Sequence, residues 1–481
     1  MMESQFTDYE LSSEILKAVS LLNFESPTKV QELVIPATLK ERDIIVKSQT
    51  GSGKTAAYGI PICELVDWGE NKPQALIMVP TRELAMQAKE DLFNIGRFKR
   101  VKVSAIFGQS PFNSQRKELR EKTHIVVGTP GRIIDHLTRG TFDLSMVKYL
   151  VIDEADEMLN MGFIEDIETI ISGVSKGRVT QLLSATMPER IETLASEYMK
   201  DPIITKIEEE NTAVDRIIQE KYEVGQRDKK KLLRDITVVE NPDSCIIFCN
   251  TQQSVDEVYE ELYELGYTCS EIHGGIEQDD RLRIMKDFKK GAFRYLVATD
   301  VAARGIDIED ISLVINFDVP REKESYIHRI GRTGRVSKEG KAITFVTEYE
   351  SRYLRAIEQE IDRKIPFKEG PGAEKVENSE EEFAQKIKNP PEEKESKGDP
   401  LSKEILKLHI NAGKKTKMRP VDIVGTLCSI EGMTAGDIGI INVLDVSTFV
   451  EILNNKGELV LEELQNRPIK GRLRKVSKAE R

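Results

Sequence analysis

The chain is 481 residues long, 39% hydrophobic and 32% charged, which suggests about three domains, each large enough to bury its own core. No apolar run approaches the roughly 18 residues of a membrane span, the polar start MMESQFTDYE is unlike a signal peptide, and five cysteines without a C-x-x-C pair suit a reducing cytoplasm. The net charge of −12 weighs against a nucleic-acid partner, but it is an average: residues 401–481 carry 14 Lys and Arg against 10 Asp and Glu, a net of +4, on a body of −16.

Over residues 1–207, short β-branched apolar runs alternate with stretches of helical spacing. The runs are DIIVKS, ALIMVP, VKVSAIFG, HIVVGTP, YLVIDEAD and VTQLLSAT. This is the βαβ pattern of a parallel sheet covered on both faces. It returns over residues 217–366 with SCIIFCN, CSEIHG, RYLVATD, SLVINFD and AITFVT, so two α/β domains of similar layout are expected, joined by a short polar hinge, EEENTAVDR, at 208–216. Cys245 and Cys249 flank IIF and read as core residues. Residues 367–400 are rich in Pro, Glu and Lys and read as an acidic flexible linker with a short helix around Phe383. Residues 401–481 run strand (KLHINAG), helix (PVDIVGTLCSIEG), strand (IGIINVLD), strand (STFVEIL), helix (GELVLEELQ) and strand (GRLRKVS). That βαββαβ order is the ferredoxin-like split sheet of RNA-recognition modules. The expected fold class is α/β: two doubly wound parallel sheets and a C-terminal βαββαβ domain.

The unusual residues cluster at the carboxyl ends of the strands, where open parallel sheets bind ligands. SQTGSGKT, residues 48–55, is a glycine-rich phosphate loop with Ser48 where the general pattern has Gly. In such a loop the backbone of Ser48, Gln49, Thr50, Gly51, Ser52 and Gly53 faces the phosphates. Lys54 reaches the β/γ-phosphates of ATP and the Thr55 hydroxyl ligates Mg²⁺. VIDEAD, residues 151–156, ends a later apolar run; Asp153 is suited to hold that Mg²⁺ and Glu154 to polarise the attacking water. HRIGRTGR, residues 328–335, spaces four ionisable side chains with glycines, which suits a phosphate-facing loop rather than a core. His124 and His136 lack such a context and read as structural or surface residues.

Assembled, these motifs resemble a DEAD-box ATP-dependent RNA helicase over residues 1 to about 366. The resemblance implies two RecA-like domains that close on ATP and RNA. It implies that Phe6 stacks on adenine and Gln31 reads its edge, as a carboxamide can by donating and accepting together. Asp307, within ATDVAARGID, is implied at the ribose, and Arg332 and Arg335 are implied as arginine fingers that stabilise the transferring phosphoryl group once the domains close. His328 is implied to couple to the DEAD element, and SAT (184–186) to link the ATP site to RNA opening. RNA-backbone contacts are implied at Arg82 (PTREL) with Thr129 and Arg132 (TPGR) in the first domain, and at Arg281 (QDDR) and Thr299 in the second; such groups bind phosphates without reading bases. Family members often carry Gly-Gly between PTREL and TPGR; Gly108-Gln109 stands there in this chain.

The C-terminal unit resembles the RNA-binding domain of DbpA-type helicases. That implies a 23S ribosomal RNA hairpin and large-subunit precursors as partners. The aromatics that usually stack bases are sparse: INVLD offers none and STFVEI only Phe449. Stacking is therefore expected to be minor, with contacts from Lys414, Lys415, Lys417 and Arg419 and from Arg472, Arg474 and Lys475. The expected protein is a cytoplasmic, monomeric, RNA-dependent ATPase that separates or remodels short RNA duplexes. Its rivals are an ATP-gated RNA clamp or chaperone, a general RNA-decay or cold-response helicase, and a DNA translocase with the same motor layout.

Overall fold

The computed structural model describes residues 4–48, 51–207, 217–300, 311–334, 340–389, 391 and 398–479. The first domain is a parallel sheet of β1 (Ile44–Lys47), β2 (Ala75–Met78), β3 (Val103–Ile106), β4 (Ile125–Gly128), β5 (Tyr149–Asp153), β6 (Val179–Ser184) and β7 (Ile203–Lys206), in the order β3-β4-β2-β5-β6-β1-β7. Alternation along each strand feeds two cores. Ile44, Val46, Ala75, Ile77 and Val151 pack on one face, and Ile45, Leu76, Met78, Leu150 and Ile152 on the other. Helices cover both faces, which is why these runs read as continuously apolar. The six expected runs are all strands. The seventh, β7, was not among them: it lies at the sheet edge and is mostly exposed, so burial left little mark on its sequence.

The second domain repeats the plan with β8 (Ile217–Glu223), β9 (Cys245–Cys249), β10 (Cys269–Ile272), β11 (Tyr295–Thr299), β12 (Leu313–Asn316) and β13 (Gly340–Val346), in the order β10-β11-β9-β12-β13-β8. Cys245 and Cys249 are buried core residues, as expected. His124 and His136 are buried too. The His124 Nδ1 accepts from the Lys102 backbone N–H at 2.8 Å, and desolvation holds both rings down to about 4, hence neutral at pH 7.

The C-terminal unit is the expected split sheet: β14 (Leu406–Ile410), β15 (Ile438–Val443), β16 (Thr448–Ile452) and β17 (Val476–Lys478), antiparallel, in the order β15-β16-β14-β17. Helices Pro420–Leu427 and Gly457–Asn466 cover one face, over Leu408, Ile410, Val450 and Ile452.

The stretch between motor and tail differs from a flexible linker with a short helix. Ala373–Lys388 is one continuous helix seated on the second domain. Val376, Phe383 and Ile387 form its inner stripe, and Phe383 is 8% exposed with its ring 5.3 Å from that of Tyr267. Lys386 donates to the Asn241 carbonyl at 2.6 Å and pairs with Asp243 at 2.7 Å. Three apolar residues among so many charges escape a composition argument but suffice for one helical face. The hinge at 208–216 lies outside the described residues. No helix among those described is long and apolar enough to cross a membrane.

A motor truncated after Pro366 is expected to lose this covering helix, whereas one truncated after Asn389 keeps it. In the longer motor, Phe383→Ala should cost about 3 kcal/mol. Urea unfolding of the three proteins checks both statements, with the shorter motor expected to unfold first.

Candidate functional site

β1 delivers the chain into the phosphate loop, and helix Lys54–Leu65 leaves it. Gly51 and Gly53 hold φ of +82° and +85°, the left-handed region that glycine enters without penalty. A Cβ at Gly53 would also stand 2.7 Å from Gln31 Nε2 and displace that carboxamide. Gln31 Nε2 donates to the Gly53 carbonyl at 3.3 Å and Thr28 Oγ1 to the Ser52 carbonyl at 2.9 Å. Gln31 also closes a capping box with Thr28 at the start of helix Lys29–Leu39. The residue expected to read adenine thus also buttresses the loop. Phe6 is 6% exposed in the first domain's core, its ring 6.5 Å from that of Phe24. Ser48 accepts from Ser52 Oγ at 3.2 Å through its hydroxyl and from Lys54 Nζ at 3.4 Å through its carbonyl. Gln49 and Thr50 lie outside the described residues.

β5 brings Asp153 and Glu154 to the same sheet edge. Asp153 is 5% exposed, and desolvation raises its carboxyl pKa against the pull of Lys54. Glu154 has φ +54° and caps helix Ala155–Asn160. Its pKa is raised as well, first by desolvation; Asp153 adds to the rise, while Lys54, Arg332 and His328 oppose it. The phenol of Tyr58, 0% exposed, is pushed up by burial and then by the charge of Asp153. Asp156 turns the other way. Its Oδ2 accepts from the Thr186 backbone N–H at 2.8 Å and from Thr186 Oγ1 at 2.9 Å, and its N–H donates to Ser184 Oγ at 3.2 Å. DEAD and SAT are therefore directly hydrogen-bonded.

The second domain closes over this edge. His328 Nδ1 lies 2.8 Å from Glu157 Oε1, one residue beyond DEAD. Arg332 is 7% exposed, with its Nε donating to the His328 carbonyl at 3.2 Å, and its charge reaches Glu154. Arg329 corrects the expectation that all four ionisable groups of HRIGRTGR face phosphate. It is 1% exposed inside the second domain, bonded to both Asp300 oxygens and to the Asp318 carbonyl at 2.7 Å. Arg335 and Asp307 lie outside the described residues.

A second seam joins PTREL to QDDR. Glu83 Oε1 accepts from Gln278 Nε2 at 3.1 Å and from Arg281 Nη2 at 2.9 Å, and Arg82 Nη1 donates to Gln278 Oε1 at 2.9 Å. Arg82 also donates to the Gln109 side chain. Gln109 holds φ +54°, so where relatives often have glycine this chain keeps the glycine-like backbone and adds a carboxamide. Arg132 Nη1 donates to the Ser110 carbonyl at 3.1 Å and to Gln115 Oε1 at 3.0 Å. Thr129 stands at the N-cap position of helix Pro130–Thr138 without a side-chain capping bond, and Thr299 ends β11 at 8% exposure. Glu83, Gln278, Asp156 and Glu157 escaped the sequence reading, although each lies in or beside a motif that it names. Their signal was a hydrogen-bonding or charged partner distant in sequence, which no local pattern displays.

In the tail, Lys415, Lys417 and Arg419 are exposed on the turn after β14. The turn at 470–475 lies against it: Lys470 Nζ donates to the Lys417 carbonyl, and the Asn411 N–H donates to the Lys475 carbonyl at 3.0 Å. Arg472 and Lys475 are exposed there, and Arg474 is half-buried. Lys414 is paired with Glu121 of the first domain at 3.1 Å.

The DEAD/DEAH box helicase model matches residues 28–194, the helicase conserved C-terminal domain model residues 228–337, and the DbpA RNA binding domain model residues 407–478. The chain is 54% identical over 476 residues to the ATP-dependent RNA helicase DbpA of Bacillus subtilis, covering 99% of each chain. It is 47% identical over 360 residues to the DEAD-box ATP-dependent RNA helicase CshA of Geobacillus kaustophilus, covering 75% of this chain and 77% of that one. Among solved structures, S. cerevisiae Dbp5 bound to RNA and ADP BeF3 aligns with a TM-score of 0.71 at 30% identity, over 80% of this chain and 100% of its own.

Removing the acceptor that two side chains of the opposite domain share should open the cleft. Glu83→Ala is expected to lower the closed-to-open ratio by about 2 kcal/mol, or about thirtyfold. Fluorescence transfer between dyes on the two motor domains reads the change.

Proposed function

Since this chain belongs to the DEAD-box family as an ATP-dependent RNA helicase of the DbpA type, we propose that it hydrolyses ATP at the Asp153–Glu154 edge only when RNA has drawn the second domain's cations across the cleft. The observation that carries this reading is that the second domain places His328 Nδ1 2.8 Å from Glu157 Oε1 and brings Arg332 to the desolvated Glu154, whose own-domain counterweight is Lys54.

The roles proposed here rest on position together with the family resemblance. Lys54 and the N–H groups of the left-handed loop hold the triphosphate, with Gln31 at adenine and fixing the loop's shape. Thr55 and Asp153 form a hard-oxygen donor set suited to Mg²⁺, which neutralises phosphate charge when bound. Glu154 orients and polarises water, and Arg332, with Arg335 by resemblance, meets charge that develops on the phosphoryl group. RNA backbone lies along Arg82, Thr129, Arg132, Arg281 and Thr299. Asp156, bonded to Ser184 and Thr186, ties nucleotide state to that surface.

The tail supplies the address. Its exposed strip of Lys415, Lys417, Arg419 and Arg472 suits the closely spaced phosphates of a folded RNA. With the DbpA RNA binding domain match at 407–478, the proposed ligand is a 23S ribosomal RNA hairpin in large-subunit precursors, and the proposed output is local duplex opening there.

Glu154→Gln keeps the shape and loses the base. ATPase should fall by orders of magnitude while RNA becomes trapped in an ATP-dependent complex. A steady-state rate within about threefold of wild type, under 1 kcal/mol of barrier, overturns the assignment of Glu154. Charge reversal at Lys415 and Lys417 should weaken hairpin binding and flatten its salt dependence by about one log unit per lost phosphate contact. The ATPase at saturating unstructured RNA should stay unchanged; titrations at several salt concentrations check this.

A further inference from the structure

The chain joins the tail to the second motor domain, yet among the described residues the tail packs against the first. Ala18 and Phe98 of the first domain pack with Leu401, Ile405 and Leu453 into one apolar cluster, each residue 7% exposed or less. Beside it, Arg97 Nη2 donates to Glu451 Oε1 at 3.2 Å, with side chains 11% and 7% exposed. Arg100 Nε donates to the Ile438 carbonyl at 2.7 Å, and Lys102 Nζ to Asn442 Oδ1 at 3.1 Å.

The tail surface used is the open side of its sheet. Val450 and Ile452 point into the tail core at 0% exposure, so alternation along β16 places Glu451 on the opposite face. Gly439 on β15 leaves room for that carboxylate, since a Cβ there would stand 2.9 Å from Glu451 Cβ and 3.2 Å from its Oε2. On modules of this layout the open face is where bases stack; here the edge formed by β15 and β16 is covered by protein.

We propose that this sheet face is a docking surface for the first motor domain, and that the tail travels with that domain although the chain tethers it to the other. The apolar cluster supplies adhesion. The buried ion pair has a single hydrogen bond, with Arg97 Nε and Glu451 Oε2 unmatched. It therefore sets register more than affinity, because a wrong docking would bury one charge alone. The strip at 415–419 and 470–475 stays exposed in the docked arrangement, so RNA held there is fixed relative to Arg82 and Arg132. RFKRVK, residues 97–102, is basic and could attract RNA instead. The burial of Arg97 against a carboxylate favours the tail.

The test uses the full chain in a Cys269→Ser background. One dye sits on the exposed Cys428, the other on Lys176→Cys in the first domain or Glu264→Cys in the second. When RNA and a non-hydrolysable ATP analogue close the motor, transfer from 264 to 428 should change while transfer from 176 to 428 holds. Arg97→Glu or Glu451→Arg should each lower the docked population about a hundredfold or more, and the charge-swapped double variant should restore it. ATPase at saturating unstructured RNA should be equal in all three. The proposal is overturned if the 264–428 transfer is the constant one or if the double variant stays undocked. It is equally overturned if Arg97→Glu weakens RNA binding while leaving transfer unaltered, which would make this surface an RNA site.

Discussion

Two adjacent carboxylates at a strand end, largely removed from water, make the first domain incomplete by itself. Asp153 and Glu154 are both driven toward their protonated forms by desolvation, with Asp156 adding to the push on Asp153 and Asp153 to that on Glu154, and Lys54 is the first domain's own counterweight. The other groups that oppose the rise at Glu154 are Arg332 and His328, which belong to the second domain. Ionisation of Glu154 is therefore favoured in the closed molecule, where groups of the second domain oppose the rise in its pKa. In the open state that support is missing, so the carboxylate proposed as the base is less readily ionised there, without any dedicated inhibitor. The Glu83 seam at the other end of the cleft acts in the same direction, since a buried carboxylate there is satisfied by Gln278 and Arg281 only when the domains meet.

The fold was largely legible because burial on both faces of a parallel sheet leaves an unbroken apolar run, and every such run proved to be a strand. The two strands that went unnoticed, β7 and β8, are both at sheet edges, where half the burial signal is missing. The helix at Ala373–Lys388 was hidden for a related reason: three inward residues decide its fate and thirteen others decide its composition. Motif residues were legible as members of a pattern, but not as pairs. Nothing in QDDR announces Glu83, and nothing in TPGR or PTREL announces Gln109.

HRIGRTGR shows how far pattern alone reaches. Its arginines look equivalent in sequence, yet Arg329 is locked onto Asp300 in the interior while Arg332 sits at the cleft. Arg329 lies in the last turn of helix Lys323–Ile330, whereas Arg332 follows its C-cap at Gly331, where the chain has left the helix and turns the side chain elsewhere. Arg329 holds together the strand ends that carry Asn250, Asp300 and Asp318, and so fixes the platform from which its neighbour reaches across. Loss of activity on replacing either residue would arise from different physics: misplacement of a platform in one case, loss of a charge in the other.

The route of the chain has a mechanical consequence. The helix on the second domain ends at Lys388, and the next described helix begins at Asp399, on a unit packed against the first domain. The ten residues between, 389–398, can span at most about 36 Å fully extended. First domain, second domain and tail therefore form a closed circuit, with that short leash as one side. The stroke of the motor has a ceiling set by chain length: any opening that demands more reach must first peel the tail away. Inserting or deleting residues in the leash would act as a governor on amplitude, without altering one atom of either the ATP site or the RNA surface.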